Sequence, residues 1–203
     1  WWRSVYNSQN AFANECFMDE LAEKAGKDPV QFRLELLPIT SHDAGVIKLV
    51  TEKSGWDDFE NGPMYQGISC HKSFGTWVAQ VARVSIQGSK VKVHEVHCAV
   101  DCGTVVNPAI VKAQISSAII YGLSATIKSK ITIKNGRVAQ SNFDDFDVLR
   151  MDETPDISVY LMDSDAPPEG VGEPGLPPIA PAVANAVHAA TGKRFRNLPI
   201  QLD

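Results

Sequence analysis

The chain has 203 residues, a length that can bury an ordinary hydrophobic core as one large domain or two small ones. Its 19 lysine and arginine residues and 24 aspartate and glutamate residues give a net charge of −5, and no basic cluster is present that could neutralise a phosphate backbone. We therefore do not expect nucleic acid as a partner. No run of about eighteen apolar residues occurs, so the sequence predicts no transmembrane segment.

The first residues, Trp1-Trp2-Arg3, are typical of the interior of a protein and do not include an initiator methionine. We therefore expect further polypeptide upstream, and the compartment, cytoplasmic or periplasmic, stays open. The five histidines form no spaced ligand set, and we interpret them as structural or solvated. The cysteines are spaced too irregularly for a zinc site, and we interpret them as buried thiols. They are Cys16, Cys70, Cys98 and Cys102.

Residues 8–26 carry clear signals for a first helix. Ser8 is a candidate N-cap, and Gly26 is a candidate stop. The apolar side chains between them recur at helical spacing and predict the buried face. They are Phe12 with Cys16, and Ala13 with Phe17, Leu21 and Ala25.

Two further helices follow. Asp28 places a capping carboxylate before Pro29 at the first helical position, and Pro38 ends the predicted second helix. The apolar stretch 46–50 predicts a short third helix that stops at Gly55.

After Gly75 the apolar residues alternate, which predicts a β-hairpin. Its first strand covers residues 78–86, Gln87-Gly88-Ser89 forms the turn, and the second strand follows. The alternation slips by one residue between Val93 and Val96, which predicts a β-bulge or a twist there.

The second half contains one long helix and more strands. Asn107-Pro108 begins a helix with an apolar face over residues 115–126, Asn135-Gly136 indicates a second hairpin, and residues 157–161 alternate as a strand. Strands and helices follow no repeating βαβ order. The predicted fold class is therefore α+β, with mixed sheets built from β-hairpins and helices packed against them.

The segment from Ala166 to Pro178 is so rich in proline and glycine that it must be a loop. Apolar residues 179–190 then recur at helical spacing and predict a final helix that ends at Gly192. A glycine-rich loop that leads into a helix N-terminus suits an anionic ligand or a carboxylate. Glu173, inside this loop, is a candidate general base, and from the residues alone the alternative is a solvated loop acid.

The segment from Gly170 to Ala186 is very similar, in order and in spacing, to the C-terminal active-site loop of the molybdenum hydroxylases, the xanthine dehydrogenase and aldehyde oxidase family. Within that family the chain most resembles the large subunits of isoquinoline 1-oxidoreductases. The likeness covers nearly the whole chain, and several shorter motifs occur in the family's order. They are Trp2-Arg3-Ser4-Val5, Gln9-Asn10-Ala11-Phe12, Gly26-Lys27-Asp28-Pro29, Ser73-Phe74-Gly75, Asp101-Cys102-Gly103, Val106-Asn107-Pro108 and Gln114.

The resemblance implies that residues 1–203 are the C-terminal part of a molybdopterin-binding domain, with a subdivision near residues 65–75 left open. It also implies a molybdenum–pterin cofactor, as molybdopterin or in the cytosine dinucleotide form. The expected reaction is hydroxylation of a nitrogen heterocycle or oxidation of an aldehyde, with water as the oxygen source. Glu173 matches the family's catalytic base, and no side chain is expected to ligate the metal. The residues that match the cofactor-binding positions are Arg3, Gln114, Glu169, Gly170, Val171 and Gly172.

The resemblance implies partners as well. Cysteine runs that would hold iron–sulfur clusters do not occur in this sequence, so we expect an iron–sulfur small subunit as electron acceptor. The upstream part of the same large subunit and a small-molecule substrate are the other expected partners. Because the family's upstream glycine-rich segments bind much of the pterin, we expect the isolated chain to hold the cofactor partly or not at all.

Three positions depart from the family pattern. Tyr6 stands where glycine is usual, and Ser117 with Ala118 replaces a pair of glycines. These larger side chains could crowd the cofactor. The alternative function is therefore a binding or assembly module that retains the fold without the cofactor.

Overall fold

The computed structural model describes residues 1–202. Its helices are α1 (Asn7–Lys24), α2 (Pro29–Leu36), α3 (His42–Ser54), α4 (Pro108–Ile127) and α5 (Ile179–Thr191). Its strands are β1 (Tyr65–Ser73), β2 (Thr76–Gln87), β3 (Lys90–Asp101), β4 (Ile133–Lys134), β5 (Arg137–Val138) and β6 (Asp156–Leu161). A short 3₁₀-helix covers Met151–Glu153. The predicted α+β class is confirmed.

A four-stranded mixed sheet forms the centre of the molecule, in the order β1-β2-β3-β6. The first three strands are antiparallel, and β6 returns parallel to β3 after α4. The predicted hairpin β2–β3, the second hairpin β4–β5 and the strand β6 are confirmed. The predicted bulge is confirmed as well, because Arg83 pairs with Glu95 while Val84 pairs with Val93, which leaves His94 as the extra residue.

The two faces of the sheet follow from alternation along β2. Val78 and Ala82 point to a core shared with α4 and α5, whereas Ala79 and Val81 point to a second core shared with α2 and α3. The sheet is therefore covered by helices on both faces. This explains why β2 is an almost uninterrupted run of buried residues.

Strand β1 has no clear signal in the sequence, and its close contact with α5 explains why. Gly67 and Ser69 lie on the face that α5 covers, and a Cβ built at Gly67 would be 2.3 Å from the Ala186 nitrogen and 2.4 Å from the Ala182 oxygen. The helix backbone thus packs directly on the strand backbone. Such packing requires small residues, so the apolar alternation that identifies a strand is missing here.

The outer edge of β1 is closed by polar side chains from helices. Glu15 of α1 accepts the Cys70 N–H over 2.8 Å and the Arg33 Nε–H over 3.1 Å, while Asn185 of α5 donates to the Ile68 carbonyl over 3.1 Å. Burial raises the pKa of the Glu15 carboxyl, and Arg33 acts in the opposite direction. These contacts occupy edge groups of β1 that would otherwise be open to another strand.

The predicted N-cap of α1 is wrong, and its predicted buried face is confirmed only for Phe12 and Cys16, which contact the core. Its N-cap is Tyr6, which makes no side-chain capping bond, and the Ser8 hydroxyl donates instead to the Arg3 carbonyl over 3.2 Å. The buried side of α1 contains Glu15 and Cys16, whereas Phe17 on the predicted apolar face is exposed. The helix turns its polar Glu15 inward because the edge of β1 needs an acceptor there.

The caps and stops predicted for the other helices are confirmed, whereas α3 begins at His42, before the predicted stretch 46–50. Asp28 accepts the N–H groups at the start of α2, and Asn107 caps α4 by accepting the Ile110 N–H over 3.1 Å. Gly55 and Gly192 end α3 and α5 in the left-handed conformation.

The cysteines are all free thiols. Cys16, Cys98 and Cys102 are buried, as predicted, and Cys70 is only partly buried. Burial raises the pKa of the Cys16 and Cys98 thiols to about 12, so both remain protonated near neutral pH.

Helix α4 bears on the prediction that no segment spans a membrane. Among residues 1–202 it is the one helix whose length and composition would allow it to cross a bilayer, and 39% of its apolar window is buried. Ile115, Ile119 and Leu123 lie fully buried against the sheet and α5. Core helices of soluble proteins pass the same test, so α4 is weak evidence for a membrane span.

Replacement of Gly67 by alanine should test the contact between β1 and α5. Because the new Cβ would overlap the backbone of α5, we expect Gly67→Ala to lower the free energy of unfolding by about 1–3 kcal/mol or more. Gly62→Ala is the matched control, since a Cβ there meets nothing within 4 Å. Urea denaturation followed by circular dichroism measures both, and equal stability of the two variants would contradict the described packing.

Candidate functional site

The loop of residues 166–178 forms no helix or strand, and side chains from the sheet bind its carbonyl groups. Three side chains each donate one hydrogen bond to a loop carbonyl. Thr76 donates to Gly170 over 2.7 Å, Gln80 to Gly175 over 2.7 Å, and Ser69 to Pro178 over 2.5 Å. Ser69 and Gln80 are cross-strand partners and both are fully buried. The middle of the sheet therefore anchors the loop.

The first part of the loop lies along the corner between β3 and α4. The Glu169 N–H donates to the Cys102 carbonyl over 2.9 Å, and the Thr104 N–H donates to the Ala166 carbonyl over 2.8 Å. Gly103 between them has a φ of +69°, and a Cβ built there would be 2.0 Å from a loop carbonyl oxygen. Glycine is therefore required at this corner by both conformation and space.

The N-terminal turn, residues 2–5, brings two of the predicted site residues, Arg3 and Gly172, into contact. Arg3 donates through Nε over 2.9 Å and through Nη2 to the Gly172 carbonyl, and through Nη1 to the Ser117 hydroxyl over 3.2 Å. The Ser4 N–H donates to Glu173 Oε1, and the Ser4 hydroxyl donates to the Glu173 carbonyl, both over 2.8 Å. Arg3 therefore joins the loop to α4, and Ser4 fixes the carboxylate of Glu173.

The backbone of this turn is strained. Ser4 has a φ of 70° and Val5 a φ of 52°, and a β-branched residue in the left-handed region is a genuine outlier. Such a conformation costs on the order of 1–2 kcal/mol per residue. The turn is held by the contacts of Ser4 with Glu173, and strain of this kind is concentrated at functional sites.

The side of the loop next to Glu173 leaves its backbone donors free. Among residues 1–202, no group accepts a hydrogen bond from the N–H of Gly170, Val171, Gly172 or Glu173. Neither glycine has a positive φ, and a Cβ at Gly172 would meet nothing within 4 Å. The chain's own packing therefore does not require glycine at 170 or 172, whereas a group that approaches the backbone closely would.

Gln114 lies exposed on α4, and its amide makes no hydrogen bond to the described residues. It precedes Ser117 by one helical turn, so it lies on the same side of α4 as the residue that binds Arg3. The predicted site residues are thus divided between the loop, the N-terminal turn and this side of α4.

The three departures from the family pattern have distinct environments. Ser117 binds Arg3, and Ala118 is fully buried, with its Cβ 3.1 Å from where a Cβ at Gly175 would lie. Tyr6 is exposed at the start of α1. Ser117 and Ala118 therefore contribute to the contact of α4 with Arg3 and with the loop.

The final helix α5 begins at Ile179, as the sequence predicts. The chain between Glu173 and α5 bends through a separate turn, in which the Leu176 N–H donates to the Glu173 carbonyl over 3.0 Å. The carboxylate itself accepts the Ser4 N–H, and a stabilising effect of the helix start on it stays a prediction.

Two apolar hollows adjoin this region and meet at Trp2. A cavity of about 290 Å³ lies between α1, α4 and the loop, and is lined by Phe12 and Leu176. A groove of about 480 Å³ runs along α4 and is lined by Ser117 and Tyr121. The residues described contain no group of three or more histidine, cysteine or acidic side chains that could hold a metal ion.

Comparisons with known proteins identify the fold and the family. A family model described as the molybdopterin cofactor-binding domain matches residues 18–155. The chain is 37% identical to the beta subunit of the isoquinoline 1-oxidoreductase of Brevundimonas diminuta, over 98% of this chain and 26% of that protein. It is 33% identical to a subunit of the nicotinate dehydrogenase of Pseudomonas putida, over 98% of this chain and 18% of that protein.

A solved structure extends the likeness to the fold. The structure of the aldehyde oxidoreductase of Desulfovibrio gigas aligns with 97% of this chain, with a TM-score of 0.78 and 14% identity. The aligned part covers 40% of the oxidoreductase chain. The chain therefore belongs to the molybdopterin cofactor-binding domain family of the molybdenum hydroxylases, as the sequence motifs predict. It spans less than a third of the length of the isoquinoline 1-oxidoreductase and nicotinate dehydrogenase relatives.

The open side of the loop can be tested by alanine substitution. Because a Cβ at Gly172 meets nothing, we expect Gly172→Ala to change the free energy of unfolding by less than about 0.5 kcal/mol. Gly103→Ala should destabilise by about 1–3 kcal/mol, since it combines a left-handed φ with a backbone overlap. Urea denaturation distinguishes the two, and a strongly destabilised Gly172→Ala variant would show that the chain itself requires this glycine.

Proposed function

We propose that the chain is the C-terminal part of the molybdenum-binding subunit of a hydroxylase, in which Glu173 is the general base. The observation that carries the proposal is the arrangement around Glu173. Its carboxylate is fixed by Ser4 next to a stretch of loop backbone whose N–H groups are free and whose glycines are not needed by the fold. A cofactor rich in carbonyl and phosphate oxygens fits such a set of donors.

The residues present would share the work of holding the cofactor. The N–H groups of residues 170–172 would donate to it, and the free amide of Gln114 would both donate and accept. Arg3 would act mainly through the loop, because its guanidinium already binds Gly172 and Ser117. The pterin would be molybdopterin or its cytosine dinucleotide form.

When bound, the molybdenum cofactor would accept the two electrons of the oxidation, while water supplies the oxygen atom. Glu173 Oε1 accepts the Ser4 N–H, and Oε2 has no partner among residues 1–202. Oε2 is therefore the atom that would take a proton from the reacting water. The hydrogen bond from Ser4 would keep the carboxylate aimed during this transfer.

The proposed substrate is a nitrogen heterocycle or an aldehyde. The first class is supported by the likeness to isoquinoline 1-oxidoreductase and nicotinate dehydrogenase subunits, and the second by the family resemblance. An iron–sulfur small subunit would receive the electrons, since the chain has no cysteine pattern for clusters.

The exposed apolar surface supports the proposal that more of the same subunit packs on this chain. The Trp2 and Tyr121 rings lie 5.6 Å apart and both are exposed, and Trp1 and Ile110 are exposed large apolar side chains as well. Exposed apolar surface is typical of interaction sites when it is contiguous. The upstream part of the subunit is the proposed occupant, because the relatives are several times longer than this chain.

Glu173→Gln in the complete subunit, assembled with its partner, should test the base. We expect turnover of isoquinoline-type and aldehyde substrates to fall by about 10²- to 10⁴-fold, because the amide cannot accept the proton. The molybdenum content, measured by elemental analysis, should stay unchanged. Asp165→Asn, which neutralises an exposed acid shortly before the loop, is the control and should keep full activity. Turnover retained in Glu173→Gln would disprove the base role.

The isolated 203-residue chain should contain no stoichiometric molybdenum, because the upstream glycine-rich segments that bind much of the pterin in the family are not among its residues. Elemental analysis of the purified chain, next to that of the complete subunit, measures this. One molybdenum per isolated chain would show that no further polypeptide is needed to hold the cofactor. No molybdenum in the complete, assembled subunit would favour the alternative of a cofactor-free module.

A further inference from the structure

A buried aspartate and a histidine form a hydrogen-bonded pair next to the turn 101–103, which contacts the loop of residues 166–178. Asp101, the last residue of β3, is only 3% exposed, and both of its carboxylate oxygens have partners. Oδ1 accepts the Gly103 N–H over 3.1 Å, and Oδ2 lies 2.5 Å from His42 Nδ1 at the start of α3. Asp101 therefore ties α3 to the turn that follows β3.

That turn is the surface on which the loop lies. Cys102, between the two partners Asp101 and Gly103, accepts the Glu169 N–H through its carbonyl over 2.9 Å. Gly103 leaves room for the Pro167 carbonyl, which a side chain would displace. The orientation of the turn thus determines where the backbone from Glu169 onward begins its approach to the site.

His42 is itself held in place on the other side. Its ring stacks on Trp77 with the ring centroids 4.1 Å apart and an angle of 17° between the planes, and Lys72 Nζ lies 4.1 Å from the centroid of the same Trp77 ring. Trp77 pairs with Asp101 in the sheet and follows Thr76, which binds the Gly170 carbonyl. His42 therefore contacts the end of β3 and the start of β2. The same region binds the loop, since Thr76 binds the Gly170 carbonyl and Cys102, just after β3, binds the Glu169 N–H.

We propose that His42 is a positioning residue for the loop, acting through Asp101 and the turn 101–103 on the backbone of residues 169–172. The proposal rests on the proposed function, in which these residues approach the cofactor and precede the base. Loss of the His42 donor leaves one oxygen of a buried carboxylate unsatisfied, so Asp101 must turn toward water or another donor. Either movement shifts the Cys102 carbonyl and with it the Glu169 N–H.

The test compares two substitutions of His42 in the complete, assembled subunit. His42→Phe keeps a ring for Trp77 but removes the donor, whereas His42→Asn places an amide nitrogen close to the position of Nδ1. We expect His42→Phe to increase amide hydrogen exchange in residues 166–172 by about tenfold, read at the Glu169 N–H that donates to the Cys102 carbonyl, the effect of losing roughly one hydrogen bond. It should also lower kcat by about tenfold or more at unchanged KM, because a small displacement of a catalytic group slows the chemical step. His42→Asn should restore most of both.

His94→Phe is the matched control. His94 also makes a side-chain hydrogen bond on this sheet, to Ser85 over 2.7 Å, but it lies at the bulge in the first half of β3, away from Asp101 at the strand's end. It should leave exchange in residues 166–172 and kcat unchanged. Exchange that rises equally in β2 and in the loop of the His42→Phe variant would mean a general loss of stability and would overturn the positioning role.

The outcomes separate this inference from the proposed function. If Glu173→Gln abolishes turnover while His42→Phe changes neither loop exchange nor kcat, the positioning role is wrong and the proposed function stands. If His42→Phe loosens residues 166–172 while Glu173→Gln keeps full turnover, the mechanical link is supported and the base role is wrong.

Discussion

The backbone of a proline- and glycine-rich loop has polar groups that no helix or strand can satisfy, and the structure depends on how this chain satisfies them. Carbonyl groups of the loop accept hydrogen bonds from Ser69, Thr76 and Gln80 in the sheet, and from Arg3 in the N-terminal turn. Since buried polar groups without partners are costly, these donors fix the path of the loop. The N–H groups of residues 170–173 have no acceptor among residues 1–202, and they define the open side of the loop.

The sheet therefore acts as a support for the site as well as a core. Gln80 lies in the middle of β2, among apolar residues, and its amide nitrogen donates to the Gly175 carbonyl and to the Cys98 sulfur. Gly67 on the neighbouring strand allows α5 to approach closely, so the end of the loop and the start of α5 are fixed together. The strained turn at Ser4 and Val5 holds the other side of the loop, because its conformation brings the Ser4 N–H to Glu173.

Much of this fold can be predicted from local sequence signals. The hairpin β2–β3 with its bulge, the buried face of α4 and the loop with the following α5 all come from patterns within about 20 neighbouring residues. The family motifs also assign Arg3 and Glu173 to one site, which stays a prediction; in the structure Arg3 binds the carbonyl of Gly172, the residue before Glu173.

What the sequence could not show is the set of polar contacts between distant residues. Glu15 falls outside the predicted apolar face of α1, and nothing local indicates its burial, because its partners Arg33 and Cys70 lie on other elements. Gln80 is a polar residue inside an apolar strand, and such an interruption is a local signal that a buried side chain has a specific hydrogen-bond partner. The hydrogen bond between His42 and Asp101 leaves no trace in spacing, since α3 and the end of β3 meet only in the folded molecule.

The contacts of Arg3 and Ser4 with the loop join residues 169 positions apart in the sequence. Closing such a long loop is entropically unfavourable until most of the intervening chain is already ordered. Contacts of high sequence separation also slow folding, in contrast to the local pairing of the β2–β3 hairpin. We therefore expect the fixing of Glu173 to be among the last events of folding, so that an incompletely folded chain would have its hairpins and helices while the Glu173 carboxylate is still unfixed.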